Sequence, residues 1–390
     1  MAKYILTINA GSSSIKFALY SGEDLSSCSF SGMIERIGFP DARVEFIDQE
    51  GKKEERPITA RSKDEAIIAL DIFLHEHIDF AEVAAVGHRI VHGMERKEHM
   101  LVTPALVAAL KNMSAIDPEH LPFEIGLLEK FTALYPHLPQ VACFDTVFHS
   151  TMPRVAEILP LPRRFDREGV RRYGFHGLSC AYLVEELGRS DPATLSGRTI
   201  ILHLGSGASV TAVREGKSID TSMGFTPSGG IPMSSRTGDL DPGALLHIMK
   251  SAGLTVDDAR HMINHGSGLL GVSETSADMR DLLAVMDTDV RAEEAVAFFC
   301  AEVKKKIGAY AAVLGGVDTL IFSGGMGAHA PHIRERILAG LEFLGVTLDS
   351  DRNKQNNAII SSSSSSVCVR VIETNEEMMI ARYTRKFITI

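Results

Sequence analysis

The chain has 390 residues, of which 45% are apolar and 23% charged, and its formal net charge is −10. That length exceeds one typical core and fits two domains, the balance is that of a folded globular chain, and the acidic surplus excludes nucleic acid or an anionic membrane as partner of the chain as a whole. The N-terminus enters a strand at once, so no secretory leader is expected; no apolar run reaches the ~18 residues that span a bilayer; and five scattered cysteines without a CxxC point to a reducing cytoplasm rather than a disulfide framework or zinc ribbon.

In chain order, "YILTINAGSSSIKFALY" reads as strands over 4–9 and 15–20 about a turn at Asn9–Ser14, with Lys16 just beyond. Glycine permits close backbone approach, successive N–H groups make an anion concavity, and a lysine suits phosphate. Asn9 can also offer its carbonyl to a hydrated Mg²⁺. A plain hairpin turn uses the same residues, and the turn alone does not choose between the two. A helix follows over 64–79, then a strand over 83–91. "GHRIVHG" sets Arg89 in that apolar strand, where it needs a partner: a bound carboxylate or phosphate, or an internal acid. His88 and His92 share a strand face without a third ligand, so no metal is expected there.

Helical patterns over 104–113 and 122–134 lead to a strand over 140–144. It ends in Asp145, with His149 four residues on. An acid where an α/β strand ends faces the ligand crevice, or caps the next helix. Residues 150–175 carry three prolines and a basic cluster and read as an interdomain crossing. His176 stands beside glycines at the head of a helix over 176–188, a setting that favours exposure to a ligand over the alternative of a packed structural histidine. Strands over 199–204 and 208–213 ("IILHLGSGASVTAV") echo the first hairpin, and "LIFSGGMGAHAPHIRERI" supplies a third Gly turn after a strand over 318–323. Gly216-Lys217-Ser218 imitates the end of a Walker A loop but lacks its earlier glycine, since Thr211 stands there. Residues 220–243 form a long aperiodic loop carrying Arg236, a length that usually signals function. Helices are expected over 242–252, 276–286, 291–314, 330–344 and 375–386. His261 and His265 fall one helical turn apart, where surface or capping roles outweigh zinc. Ser361–Ser366 reads as a solvated loop before a last strand over 367–372.

Strands alternating with helices, with hairpins mixed in, give an α/β class with mixed sheets. The echoed hairpins suggest two copies of one domain with a cleft between them. Arginines, histidines, an acid, a lysine and phosphate-type turns suit phosphoryl transfer, which needs positive groups around spread negative charge and little covalent chemistry. No GxGxxG follows a strand, and no protein-kinase signature, serine elbow or activated cysteine is present.

Read together, "TINAGSSSIKF", "VGHRIVHG", "FDTVFH", "RRYGFHGLS", "DTSMGFTP", "SRTGDLDPG", "ADMRDL" and "TNEEMMIAR" resemble the acetate kinase family in order and spacing over nearly the whole chain. The resemblance implies duplicated ribonuclease-H-like domains of the actin, Hsp70 and sugar-kinase type. It places an acyl/phosphate-side domain at 1–149 plus 380–390 and a nucleotide-binding domain at 150–379. It implies a cytoplasmic homodimer that moves the ATP γ-phosphate reversibly and in line onto acetate, giving acetyl phosphate and ADP with Mg²⁺ or Mn²⁺. Propionate or butyrate kinase, or a non-catalytic nucleotide-binding relative, are the alternatives.

By the same resemblance, Asn9 and Glu376 would hold the metal, and Ser12, Ser14 and Lys16 would lie on the first phosphate loop. Arg89 and Arg236 would grip the acid and the moving phosphoryl group, Asp145 would orient the attack, and His176 would donate to the transition state. His120 would frame the site, with Val91, Phe175 and Pro227 forming the methyl pocket. His203, Gly205, Ser206 and Gly207 would line the second phosphate loop. Asp278, Met279, Arg280, Gly325, Met326, Gly327, Ala328 and His329 would border adenosine. Ser206, Ala328 and His329 depart from the family's Asn, Glu and Asn, Ser228-Gly229 departs from Leu-Glu, Met94 stands for a glycine, and Glu119 stands where an apolar residue is common. The reacting set Asn9, Arg89, Asp145, His176, Arg236 and Glu376 is intact, so activity is expected.

Overall fold

The computed structural model describes residues 3–388 apart from Ser12 and Gln49. It divides into two compact units, one running to Val147 and resuming at Asn375, the other Phe148–Thr374. The sequence places these borders at 149/150 and 379/380. The segment 150–175, expected to be a crossing, lies inside the second unit, where it forms short helices at Arg154–Glu157 and Arg163–Arg167.

The first unit's sheet comprises β1 (Tyr4–Ala10), β2 (Ile15–Ser21), β3 (Cys28–Glu35), β4 (Arg43–Ile47), β5 (Lys53–Pro57), β6 (Val83–Ile90), β7 (Met100–Leu101) and β8 (Gln140–Phe144). Their spatial order is β5-β4-β3-β2-β1-β6-β8-β7. β1 to β5 are an antiparallel meander, whereas β1/β6 and β6/β8 pair parallel. β1 and β8 are buried on both faces, which explains their unbroken apolar runs. The C-terminal helix Glu376–Arg385 packs on β1 and β6 through Met379, Ile380 and Ala381. Gly87 makes this approach possible: a Cβ there would lie 2.2 Å from Thr384 Oγ1 and 2.6 Å from Ile380 Cγ2.

The second unit's sheet comprises β9 (Arg198–Leu204), β10 (Ala208–Arg214), β11 (Lys217–Thr221), β12 (Thr319–Ser323) and β13 (Cys368–Val371), in the order β11-β10-β9-β12-β13. β9–β10 is an antiparallel hairpin, and β12 pairs parallel with both β9 and β13. The same succession of a hairpin meander and then parallel strands runs through β3-β2-β1-β6-β8 in the first unit. The echo in sequence is therefore a duplication in topology, giving two ribonuclease-H-like sheets. The Walker-like GKS is a hairpin: Glu215 (φ 52°) and Gly216 (φ 71°) join β10 to β11 as a two-residue turn.

Two expectations need correcting. The serine run is not simply solvated: Ser361 is buried and its Oγ accepts from Val369 N–H at 3.1 Å, while Ser365 Oγ donates to Val367 O at 2.7 Å. The pattern over 330–344 is one helix, Pro331–Leu338, followed after Gly340 (φ 84°) by a 3₁₀ turn at Glu342–Leu344. His261 and His265 do share the helix Val256–His265, with ring centroids 5.1 Å apart.

The first unit also holds histidines kept neutral. Burial pushes His88 down to about 4 against its Gln140 hydrogen bond. Burial, then Lys386, pushes His99 down to about 4 as its Nδ1 accepts from Phe144 N–H at 3.1 Å. A native pKa below the unfolded value means the unfolded chain binds more protons between pH 6.5 and 4, so this stability is lost as pH falls through that window. His99→Gln keeps an acceptor for Phe144. Urea titrations from pH 7 to 4 should show the wild type losing up to about 3 kcal/mol relative to that variant. Parallel pH curves for the two proteins would contradict the assignment.

Candidate active site

Three parallel strands of the first unit end together. Register pairs Ile8 with His88 and Arg89 with Cys143, so Asn9, Arg89 and Asp145 emerge at neighbouring strand ends. The carboxyl edge of a parallel sheet is where α/β proteins bind ligands. Arg89 Nη2 donates to Asp145 Oδ2 at 2.7 Å and Nη1 donates to Ala10 O at 3.0 Å, while Glu124 Oε1 lies 3.7 Å from Nη1. Burial opposes the Arg89 charge, but Asp145, Glu124 and Glu376 outweigh it and raise the guanidinium above its ordinary value. The strand arginine is part-buried, and its partner is thus an internal acid, Asp145, whose side chain is fully buried. His120 heads the helix Leu121–Leu134 in the same unit, its Nδ1 between the Asp117 oxygens at 3.0 and 3.1 Å. Burial alone would raise Asp117, but the His120 contacts and His92 hold it below the ordinary carboxylate range. Val91 is buried beside this cluster, its N–H donating to Glu124 at 2.9 Å.

Asn9 is buried, and its amide donates to Glu376 Oε2 and Glu377 Oε1, both at 3.0 Å. An amide carbonyl and two carboxylates are hard oxygen donors, and few of them suffice for a cation that keeps most of its waters, so the set fits Mg²⁺ or Mn²⁺. Among the described residues no group of three or more His, Cys, Asp or Glu could cage a metal unaided. Lys16 pairs in register with Asn9, on the same sheet face, and its side chain is exposed. Ser14 closes the turn by accepting Gly11 N–H on its carbonyl at 2.8 Å. Ser12 lies outside the described residues.

A second constellation sits in the other unit. His176 heads the helix Gly177–Ser190 with a left-handed backbone, φ 59°. Its Nδ1 meets Ser209 Oγ at 2.9 Å and its ring stacks on His203 at 4.2 Å; His203 Nδ1 in turn meets Ser179 Oγ at 2.8 Å. Arg236, from the long loop, donates through Nη1 to Pro227 O at 3.2 Å. Gly207 joins the two: a Cβ there would lie 3.2 Å from His176 Nε2 and 3.7 Å from Arg236 Nη1. A histidine and an arginine therefore converge on bare backbone at the β9–β10 turn, whose Gly205 N–H donates to Gly207 O at 3.0 Å. Such a setting receives an anion through N–H donors and a fixed cation. Phe175 and Pro227 are buried in this unit. His149 is structural, bridging Ser218 Oγ at 3.0 Å and Phe175 O at 2.8 Å.

Beside the turn lies a cavity of about 600 Å³, lined by Gly205, Ser206, Asp278, Met279, Arg280, Gly325, Met326 and His329 among others. That volume suits a nucleoside. His203, Gly207, Gly327 and Ala328 are not in its lining. Gly327 and Ala328 are buried, and their carbonyls each accept from Arg334 Nη1 at 2.9 Å. Arg334 is fully buried and also binds Asn353 and Asn356, so it fixes the short helix Gly324–His329 that lines the cavity. Nothing in the sequence pattern signals Arg334, and the same holds for Glu124, Asp117, Glu377 and Ser209: each is an ordinary polar residue whose role depends on what the fold brings beside it.

Residues 4–382 match the acetokinase family. The acetate kinase of Methylocella silvestris is 40% identical over 98% of both chains, and the propionate kinase of Escherichia fergusonii is 40% identical over 98% of this chain and 96% of its own. Among solved structures, a propionate kinase of Francisella tularensis superposes with a TM-score of 0.92 at 35% identity, and the acetate kinase of Porphyromonas gingivalis with 0.88 at 34%, each pair matched over 100% of both chains. With its strand-end arginine–aspartate pair, its glycine turn under a histidine and an arginine, and this likeness along its full length, the chain belongs to the acetokinase family and is a phosphotransferase whose acceptor is a carboxyl group.

Proposed function

We propose that the chain is an acetate kinase that moves the γ-phosphoryl group of ATP reversibly onto acetate. An acetate oxygen attacks the γ-phosphorus in line, a new P–O bond forms as the bond to the β–γ bridging oxygen breaks, and acetyl phosphate and ADP leave. Arg89 binds the acetate carboxylate, and Asp145 holds the guanidinium to one orientation. His176 and Arg236 donate to the phosphoryl oxygens as charge spreads over them, with Lys16, Ser12, Ser14 and the Gly205–Gly207 turn contributing further donors. Adenosine occupies the cavity beside Gly325 and Asp278. Asn9 and Glu376 would hold Mg²⁺ or Mn²⁺, which neutralises charge on the phosphate chain when bound. Val91, Phe175 and Pro227 contact the methyl group.

The Arg89–Asp145 pair carries this reading, because Asp145 and Ala10 O each take one N–H of the part-buried guanidinium at the parallel-strand edge and so hold its remaining donors in one orientation for a carboxylate. We further propose a cytoplasmic homodimer, on the family resemblance; the five cysteines are all free thiols, in keeping with a reducing compartment. Propionate is the second reading, favoured by the propionate kinase likenesses. A kcat/KM series over formate, acetate, propionate and butyrate with ATP and Mg²⁺ tests both. Acetate should lead, and one methylene should cost roughly 10-fold or more. A lead for propionate would replace acetate as the substrate. Nucleotide binding without turnover of any acid would favour the non-catalytic alternative.

A further inference from the structure

One buried acid has no place in the reaction as derived. Glu124 projects from the helix Leu121–Leu134 with its side chain 1% exposed, between the buried apolar residues Phe123 and Ile125. Its Oε2 accepts from Val91 N–H at 2.9 Å, whereas its Oε1 has no hydrogen-bond partner and lies 3.7 Å from Arg89 Nη1. Arg89 Nε is likewise buried without a partner. A buried carboxyl group is costly unless it contributes to something nearby, and the group it faces is the proposed grip on the acid.

We propose that Glu124 is a positioning residue for Arg89: through Val91 N–H it fixes the end of β6, and through Oε1 it sets the Nη1 edge of the guanidinium opposite Asp145. The fork is then held between two carboxyl groups, with its orientation toward an incoming carboxylate fixed. The inference rests on the reading of Arg89 as the acid's grip. The charged groups that act on Glu124 are Arg89 from the end of β6, Asp145 beyond β8 and Asp117 ahead of its own helix, and Asp117 in turn faces His120 and His92. Burial pushes Glu124 up to about 8 against the pull of Arg89 and Val91 N–H, with Asp117 and Asp145 adding to the rise. Below that pH the neutral acid leaves the Arg89 charge to Asp145 and the substrate. Above it the ionised acid competes for the same charge.

The test compares wild type, Glu124→Gln and Glu124→Leu. In the wild type the KM for the acid should rise between pH 7 and 9 while the KM for ATP stays level, and in Glu124→Gln that rise should vanish. Glu124→Leu removes the acceptor of Val91 N–H and the edge of Arg89, and should lose roughly 10²-fold in kcat/KM for the acid, as misplaced reacting groups do, with the ATP KM moving less than about 2-fold. Glu124→Gln should recover most of that loss. An unchanged pH rise in Glu124→Gln overturns the proposal, and so does a Glu124→Leu variant with wild-type kinetics on the acid. If the leucine variant does not fold, the glutamine pH profile decides. Should the wild type turn over no acid at all, the functional reading fails by itself. The positioning claim is then read from the Arg89 Nε–Hε resonance, which should titrate near pH 8 in the wild type and not in Glu124→Gln; a resonance indifferent to the substitution overturns it.

Discussion

Arg89→Ala and Arg236→Ala should each lower kcat on the order of 10³-fold, because in the proposed reaction each supplies a fixed positive group where transition-state charge develops. The two losses should differ in character. Arg89 spends its fork on Asp145 at 2.7 Å and Ala10 O at 3.0 Å, so its removal leaves Asp145 and Glu124 facing each other without a cation. The KM for the acid should therefore rise along with the fall in kcat. Arg236 instead converges with His176 on Gly207, at the phosphate-type turn, so its loss should fall mainly on kcat. Arg89→Lys should not restore activity, since an ammonium cannot satisfy two acceptors in the plane of a fork. Steady-state kinetics with both substrates varied will show this. Near-wild-type kcat in either alanine variant would mean that the grip is assigned wrongly.

Arg334→Met should destabilise the second unit by about 3–5 kcal/mol, the scale for stripping the partner from a buried charged network. Five acceptors depend on this one side chain: the carbonyls of Gly327, Ala328 and Asn353, and the amide oxygens of Asn353 and Asn356, at 2.6 to 2.9 Å. Burial lowers its pKa only to about 10, so it is charged at neutral pH and bonds to the last carbonyls of the short helix Gly324–His329. In a unit of this size such a loss corresponds to roughly 10 °C or more in the melting midpoint. Because that helix lines the cavity assigned to adenosine, ATP should protect the variant less than it protects the wild type. Calorimetry with and without ATP measures both effects, and a midpoint within about 2 °C of wild type would show that the network relaxes without cost.

The legible parts of the fold were those with strong local patterning. β1, β6, β8, β9, β10 and β12 are central strands buried on both faces, so their apolar runs announce themselves. Thr103-Pro104 and Asp241-Pro242 are cap-and-proline starts, and their helices begin where the pattern puts them. β3, β4, β5 and β11 were not legible. β5 reads "KEERP" and is exposed on most of its length, because it is an edge strand whose pairing with β4 needs little apolar surface. In the site, Asn9, Arg89 and Asp145 stood out as polar residues at the ends of apolar strands, a signal that survives in one dimension. Glu124 and Arg334, on helices, and Asp117, in the turn before one, did not, because a charged residue outside a strand reads as solvated until the partner it faces is known. The basic stretch at 150–175 misled for the complementary reason: prolines and arginines look like a linker, yet here they form short helices inside one unit.

In the proposed reaction a carboxylate oxygen of the substrate becomes bonded to the phosphorus that ATP gives up. Incubation of the protein with ATP, Mg²⁺ and acetate carrying ¹⁸O in both carboxylate positions, followed by ³¹P spectroscopy, reads that bond directly. Direct transfer should give an acyl phosphate resonance shifted by one directly attached ¹⁸O. Release of unlabelled inorganic phosphate from ATP without any acyl phosphate signal would contradict it.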